Sequence, residues 1–294
     1  MSKKKIDTGW LTKPFLITIL LFTVIMFGKY KSKSSDIYVQ DVGETDQITV
    51  SPSPIEPSPT PRPLTFAEMN ELYGPCTKTP VFMYHHIQDQ KLAVERNQVS
   101  LTTYTETFEE QLKYLQSKSY QTIGVDSLIS FFQGGSTLQE KSIILTFDDG
   151  YTDFYEIAYP ILQKYNFKAI VFLPTGLVNN YGYLTWPEID ELKVSGNVYF
   201  GNHTWSHYAV IKDEEKIRSE IETADTQLTE RSLNASKIFA YPYGSGSVFT
   251  QNLLRSSGYD LAFTTNYGTI LCAKNNLSLP RLRAGNLMPS YYGL

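Results

Sequence analysis

The sequence predicts an α/β fold organised on a parallel sheet or barrel, and three observations carry that prediction. Strand-like and helix-like segments alternate along most of residues 79–265. Two strand candidates, 142–147 (Ser-Ile-Ile-Leu-Thr-Phe) and 168–173 (Lys-Ala-Ile-Val-Phe-Leu), are mostly continuous apolar runs, which suits strands covered on both faces. The residues best fitted for chemistry fall just past such strands, where parallel barrels place their sites.

The elements follow in order. Residues 79–85 (Thr-Pro-Val-Phe-Met-Tyr-His) read as a first buried strand. Thr107-Phe-Glu-Glu110 is a capping box that opens a helix to about residue 118, because each end of the motif satisfies a backbone donor of the first turn. Residues 121–125 are strand-like, and Asp126 caps a short helix stopped by Gly134-Gly135. The strand at 142–147 leads into a helix at 152–165 and the strand at 168–173. Thr185-Trp-Pro-Glu188 starts another helix, with a capping box and an early proline. A strand at 197–201, a long charged helix at 213–231, a strand at 237–241, a helix near 250–257 and a strand at 261–265 complete the alternation. No repeat of fixed period is visible.

The first 78 residues are built differently. An apolar run from Phe15 to Gly28 is flanked by Lys3, Lys4, Lys5 and Lys13 before it and by Lys29, Lys31 and Lys33 after it. Counting Trp10 and Leu11, with Lys13 snorkelling, it approaches the roughly 20 residues that span a bilayer. No small-residue cleavage site follows, so an uncleaved signal anchor over residues 1–33 is favoured over a cleaved signal peptide; both export the body. Residues 34–78 read as an extracellular Ser/Pro-rich linker, with Ser51-Pro-Ser-Pro54 and Ser58-Pro-Thr-Pro61 holding it extended. Residues 79–294 are the folded body. The expected location is the cell membrane, single-pass and outward-facing, or secreted if the segment is cleaved.

Charge and cysteine content exclude several classes. The net charge is −4, yet residues 1–35 carry seven Lys against one Asp, so the remainder is near −10. An acidic body does not suit nucleic acid, which needs a basic face, and is compatible with a neutral glycan. Two cysteines, Cys76 and Cys272, exclude a disulfide-rich scaffold and a cysteine-rich zinc site. In an exported chain they either bridge or stay as two buried thiols.

Four short motifs carry chemistry. Thr146-Phe-Asp-Asp-Gly150 sets Asp148 and Asp149 side by side at the end of a buried strand, where two carboxylates are costly to desolvate. Asp-Gly is also ordinary turn chemistry. A cation changes the balance, because one carboxylate can ligate it while its neighbour serves as a base. His203 and His207 stand four residues apart, a spacing that puts two imidazoles on one face of a helical turn. All four histidines of the chain lie in two tight clusters, which argues against chance surface positions. In Met83-Tyr-His-His86, strand alternation sends His85 and His86 to opposite faces, so one of them at most faces a shared site. Tyr241-Pro-Tyr-Gly244 closes a further strand, where a backbone N–H is placed to meet a developing oxyanion.

In this order and on these strands, the Asp-Asp, His-Thr-x-Ser-His and Tyr-Pro-Tyr-Gly motifs resemble the polysaccharide deacetylase family, the NodB homology domain or carbohydrate esterase family 4, over about residues 79–285. The resemblance implies a distorted (β/α) barrel of about seven strands, behind the membrane anchor and Pro-rich linker. It implies Asp148 as general base, and Asp149, His203 and His207 as ligands of one divalent metal ion, usually zinc. It also implies that the backbone of Tyr243, beside Pro242, stabilises the oxyanion as acetate leaves. Two departures matter. No histidine follows His207 to act as the late acid, and Phe239-Ala240 stand where an arginine is common. The Met83-Tyr-His-His86 run is similar to a subgroup with an early Tyr-His motif that acts on exported poly-N-acetylglucosamine. His85 is therefore the expected acid, and Arg281 or Arg283 the expected residue orienting Asp148. Trp186 either walls the cleft or belongs to the core. The expected partners are an N-acetylated glycan polymer (poly-N-acetylglucosamine or peptidoglycan) and the membrane, with the protein a monomer. An O-acetyl esterase of xylan-like chains and a catalytically silent glycan-binding wall protein are the competing expectations.

Overall fold

The computed structural model describes residues 62–294. The anchor expected at 1–33 and the linker up to residue 61 lie outside the described residues. Among the described residues, no helix is long and apolar enough to cross a membrane.

Seven parallel strands close into a ring: β1 Val81–Tyr84, β2 Ser142–Phe147, β3 Ala169–Leu173, β4 Val198–Asn202, β5 Ile238–Ala240, β6 Leu261–Tyr267 and β7 Leu279–Arg283. Each pairs with its neighbour in sequence, and β7 returns to β1 through Leu282 beside Phe82 and Arg283 beside Met83. The ring is distorted in two places. β4 and β5 meet only at Asn202 and Phe239, and the register between β6 and β7 slips between Phe263 and Tyr267.

Strand alternation divides the wall. Ile144, Ile170, Phe172, Ile238, Ala240, Leu261, Phe263 and Leu279 form one buried cluster. The opposite set, including Phe82, Tyr84, Leu145, Phe147, Val171 and Leu173, clusters with helix residues such as Phe108, Leu112, Ile189 and Leu192. This two-sided burial is why β2 and β3 read as apolar runs.

Several elements depart from expectation. The helix expected from Thr107 spans Thr105–Ser117, with Tyr104 at its N-cap and no side-chain cap, so Thr107-Phe-Glu-Glu110 is not its capping box. The strand at 121–125 shrinks to Gln121–Thr122; Gly124, not Asp126, caps the helix Val125–Phe132. The helix at 152–165 contains a π-turn at Phe154–Ala158. Pro160 follows two residues later and has no N–H to return to Glu156.

The linker assigned to 34–78 is too long. Phe66–Tyr73 is a helix whose Thr65 and Glu68 form a reciprocal capping box. Cys76–Lys78 is a strand pairing antiparallel with Ile270–Cys272 in the connection between β6 and β7. Cys76 and Cys272 are opposite one another in that pair and form a disulfide. The bridge ties the start of the folded region to a point 196 residues away.

Candidate metal centre and active-site cleft

The ends of β1, β2, β4 and β5 open into a cleft of about 650 Å³. His85, Asp148, Asp149, His203, His207, Tyr243 and Arg283 line it, so the early histidine and the three later motifs converge although 158 positions separate His85 from Tyr243. Pro242 is buried and lies outside the lining.

Asp149, His203 and His207 each offer one ligand atom, and these atoms lie within 4.8 Å of one another. The Asp149 Oδ1 atom is 3.4 Å from His203 Nε2 and 3.2 Å from His207 Nε2, and it is buried without a hydrogen-bond partner among the described residues. His203 Nδ1–H donates to the Ala240 carbonyl at 2.7 Å. A carbonyl only accepts, so the ring proton sits on Nδ1 and the Nε2 lone pair faces the carboxylate. Two acceptors facing each other in a buried site need a positive charge between them. Burial opposes charging His203, yet Asp149 and Asp148 raise its pKa overall. The site thus holds either a proton or a cation, and a carboxylate with two imidazoles fits a divalent metal with an open coordination position.

Asp148 is turned away from this trio. Arg281 Nη1–H and Nη2–H donate to Asp148 Oδ1 and Oδ2, both at 2.7 Å, in a bidentate clamp. The guanidinium is 1% exposed and also donates to Thr146 Oγ1 and the Thr264 carbonyl. Burial pushes the Asp148 carboxyl up, but the Arg281 charge and hydrogen bonds outweigh it and hold the pKa below its ordinary value. Asp148 is thus paired with an arginine supplied by β7. Arg283 is not its partner in this: it faces the cleft and donates to the Ser100 carbonyl at 3.1 Å. Burial lowers the His85 pKa, with Asp148 and Asp149 pulling it back up.

The loops that present these groups carry backbone strain. Asp149, Thr204, His207 and Tyr243 all have positive φ, at 71°, 66°, 61° and 60°. Non-glycine residues hold such angles at a cost of about 1–3 kcal/mol each, sustained by the surrounding contacts. Gly244 completes the Tyr243 turn with φ 90°, and a Cβ there would lie 1.8 Å from Thr265 Oγ1.

The structure places two further residues. Trp186 does not line the cleft; it packs against the helix-side core, with the Arg231 guanidinium 4.1 Å over its ring. His86 points away from His85, as alternation predicts, and its Nδ1–H donates to Asp153 at 2.5 Å.

Glu220 was missed by sequence reasoning because, on a charged helix four residues from Lys216, it resembles a surface ion pair. It is buried and accepts from the Ser206 N–H at 2.7 Å and the Ser206 hydroxyl at 2.8 Å, fixing the loop between His203 and His207. Asn202 secures the other side by accepting from the Thr204 N–H at 2.7 Å. Glu220→Gln is expected to weaken metal binding by about 10- to 100-fold, as loss of a ligand's support does. Competition against a chromogenic chelator measures it.

Comparison with known proteins is decisive for the family. Residues 135–262 match the family model described as polysaccharide deacetylase. The structure of the Streptococcus pyogenes deacetylase PplD, solved in complex with acetate, superposes with a TM-score of 0.67 at 30% identity, covering 73% of this chain and 96% of that one. This chain belongs to the polysaccharide deacetylase family. IcaB from Ammonifex degensii shares the fold, with a TM-score of 0.64 at 23% identity over 73% of this chain and 94% of that one. The poly-beta-1,6-N-acetyl-D-glucosamine N-deacetylase of Escherichia coli strain K12 is 26% identical over 247 residues, 69% of this chain. This chain spans 36% of that protein's length. The seven-stranded parallel barrel expected from the resemblance is the one observed.

Proposed function

We propose that this deacetylase hydrolyses N-acetyl groups from an extracellular polysaccharide, poly-N-acetylglucosamine foremost, and releases acetate. The observation that carries the reading is the division of labour between adjacent carboxylates. Asp149 faces two imidazoles, while Asp148 is clamped by Arg281. The early His85 and the resemblance to the E. coli protein support the poly-N-acetylglucosamine substrate.

Asp149, His203 and His207 would hold one divalent metal ion, which we take to be zinc, and when bound it polarises the acetamide carbonyl and acidifies water. Asp148, kept ionised by Arg281, removes a proton from the attacking water. The Tyr243 backbone N–H meets the oxyanion that develops. His85, on the same cleft, gives the departing amine its proton. Its lowered pKa makes the protonated ring a stronger donor while reducing how much of it is protonated. The products are acetate and a glucosamine unit. The N-terminal apolar run is proposed to anchor the enzyme in the cell membrane, facing outward, with the proline-rich stretch as a spacer.

Acetate release from poly-β-1,6-N-acetylglucosamine, peptidoglycan and acetyl-xylan tests the assignment. The expected order places the first substrate highest. Release from acetyl-xylan alone would make the enzyme an O-acetyl esterase, and release from none would leave a binding protein.

A further inference from the structure

We propose that a second cavity, adjoining the catalytic cleft, is a subsite for the sugar unit next to the one being deacetylated; this rests on the glycan reading above. The cavity measures about 370 Å³, within the size range of small-ligand clefts of about 300–1,000 Å³. Tyr151 and Tyr183 line both it and the catalytic cleft. The two tyrosines are joined by an isolated antiparallel bridge, with ring centroids 5.3 Å apart. They form a ridge between the two spaces.

The ridge is held in place. The Tyr151 ring stacks on His86 with centroids 3.6 Å apart and planes 16° from parallel. His86 is fixed in turn by Asp153, whose Oδ1 also accepts from the Ile87 N–H at 3.3 Å. A polymer that crosses this ridge has one unit beside Asp149 and its neighbour over the adjoining cavity. The geometry gives the His86–Asp153 pair a positioning role that the catalytic reading leaves unused.

The chemistry of the cavity suits a neutral polyhydroxyl ligand. Gln88 Nε2 donates to Gln98 Oε1 and to Thr102 Oγ1, both at 3.0 Å, so the wall presents fixed amide groups. Arg96 is the one cation of the lining and is balanced there by Asp153 and Glu156, which disfavours a phosphate or other anion. The Tyr181 ring, 98% exposed at the rim, offers an aromatic face against which the apolar face of a sugar packs. His86 Nε2 is buried in the same wall without a hydrogen-bond partner among the described residues. Such an atom is costly to leave unpaired, and a sugar hydroxyl would satisfy it after a small shift.

Tyr181→Ala and Arg96→Ala, made in the full-length chain, test the subsite; neither residue belongs to the catalytic machinery. Kinetics are measured with a β-1,6-linked N-acetylglucosamine pentamer and with 4-nitrophenyl acetate, and pentamer binding is measured by calorimetry. Each variant is expected to raise KM for the pentamer and weaken its binding by about 5- to 10-fold, with kcat within about twofold and the small ester unaffected. Unchanged pentamer affinity in both variants, an equal rise in KM for the ester, or no pentamer binding to the unaltered chain overturns the proposal. Weakened binding in the variants, with no acetate released by the unaltered chain, would instead sink the deacetylase reading and leave the subsite standing.

Discussion

Asp148→Asn is expected to lower kcat for acetate release by about 10²- to 10⁴-fold, the usual contribution of a positioned general base. The amide is nearly isosteric and still accepts from Arg281, but it cannot take a proton from water. Asp149, His203 and His207 do not depend on the Asp148 charge for their geometry, so metal content should stay that of the unaltered protein. That combination, lost turnover with retained metal, distinguishes a base from a ligand. A variant that lost both together would put Asp148 in the metal site instead.

The largest expected loss of stability comes from Arg281→Met. Arg281 and Asp148 are both almost wholly buried, and removing one partner leaves the other charge without compensation. Such changes cost about 3–5 kcal/mol, which in a domain of this size lowers Tm by about 10 °C. The sign follows from the forces on Asp148. Burial raises its pKa and Arg281 lowers it, so without the arginine the carboxyl shifts towards its neutral form and the base is lost as well. The double variant Arg281→Met with Asp148→Leu replaces the pair by apolar groups. It should recover much of the Tm and none of the activity. Thermal melts and acetate assays on the two single variants and the double variant measure both effects. Additive Tm losses would show that the two residues do not act as a pair.

How much of this was legible in the sequence depended on whether the signal was local. The 142–147 run and the Thr185–Glu188 capping box are realised as read, because burial on both faces and a cap are properties of a few consecutive residues. The Asp148-Asp149 and His203–His207 motifs are equally local, and the fold brings them into one cleft, with the two histidines on a loop instead of the helical turn their spacing suggests. Long-range partners were harder. The sequence offered Arg281 and Arg283 equally, because residues two apart share a face of a strand; only their depth along β7 separates them, Arg281 being buried beside Asp148 and Arg283 standing exposed at the strand end. Glu220 looked like a surface charge because its partner Ser206 belongs to a different element. Trp186 stayed open between cleft wall and core because its position within a capping box says nothing of which face it takes. The pairing of Cys76 with Cys272 waited on the two short strands that bring them together. Thr65 and Glu68 carry a capping-box pattern, but it follows so closely on the proline-rich stretch that the segment reads as linker.

Acetate release is expected to depend on a metal ion held by Asp149, His203 and His207. The direct measurement is acetate release by purified protein after chelation and after return of zinc, with metal content determined on the same samples and Asp149→Ala alongside. The expected result is about one ion per chain, loss of activity with the chelator, recovery with zinc, and neither metal nor activity in the variant. Full acetate release from protein shown to be free of metal would contradict it.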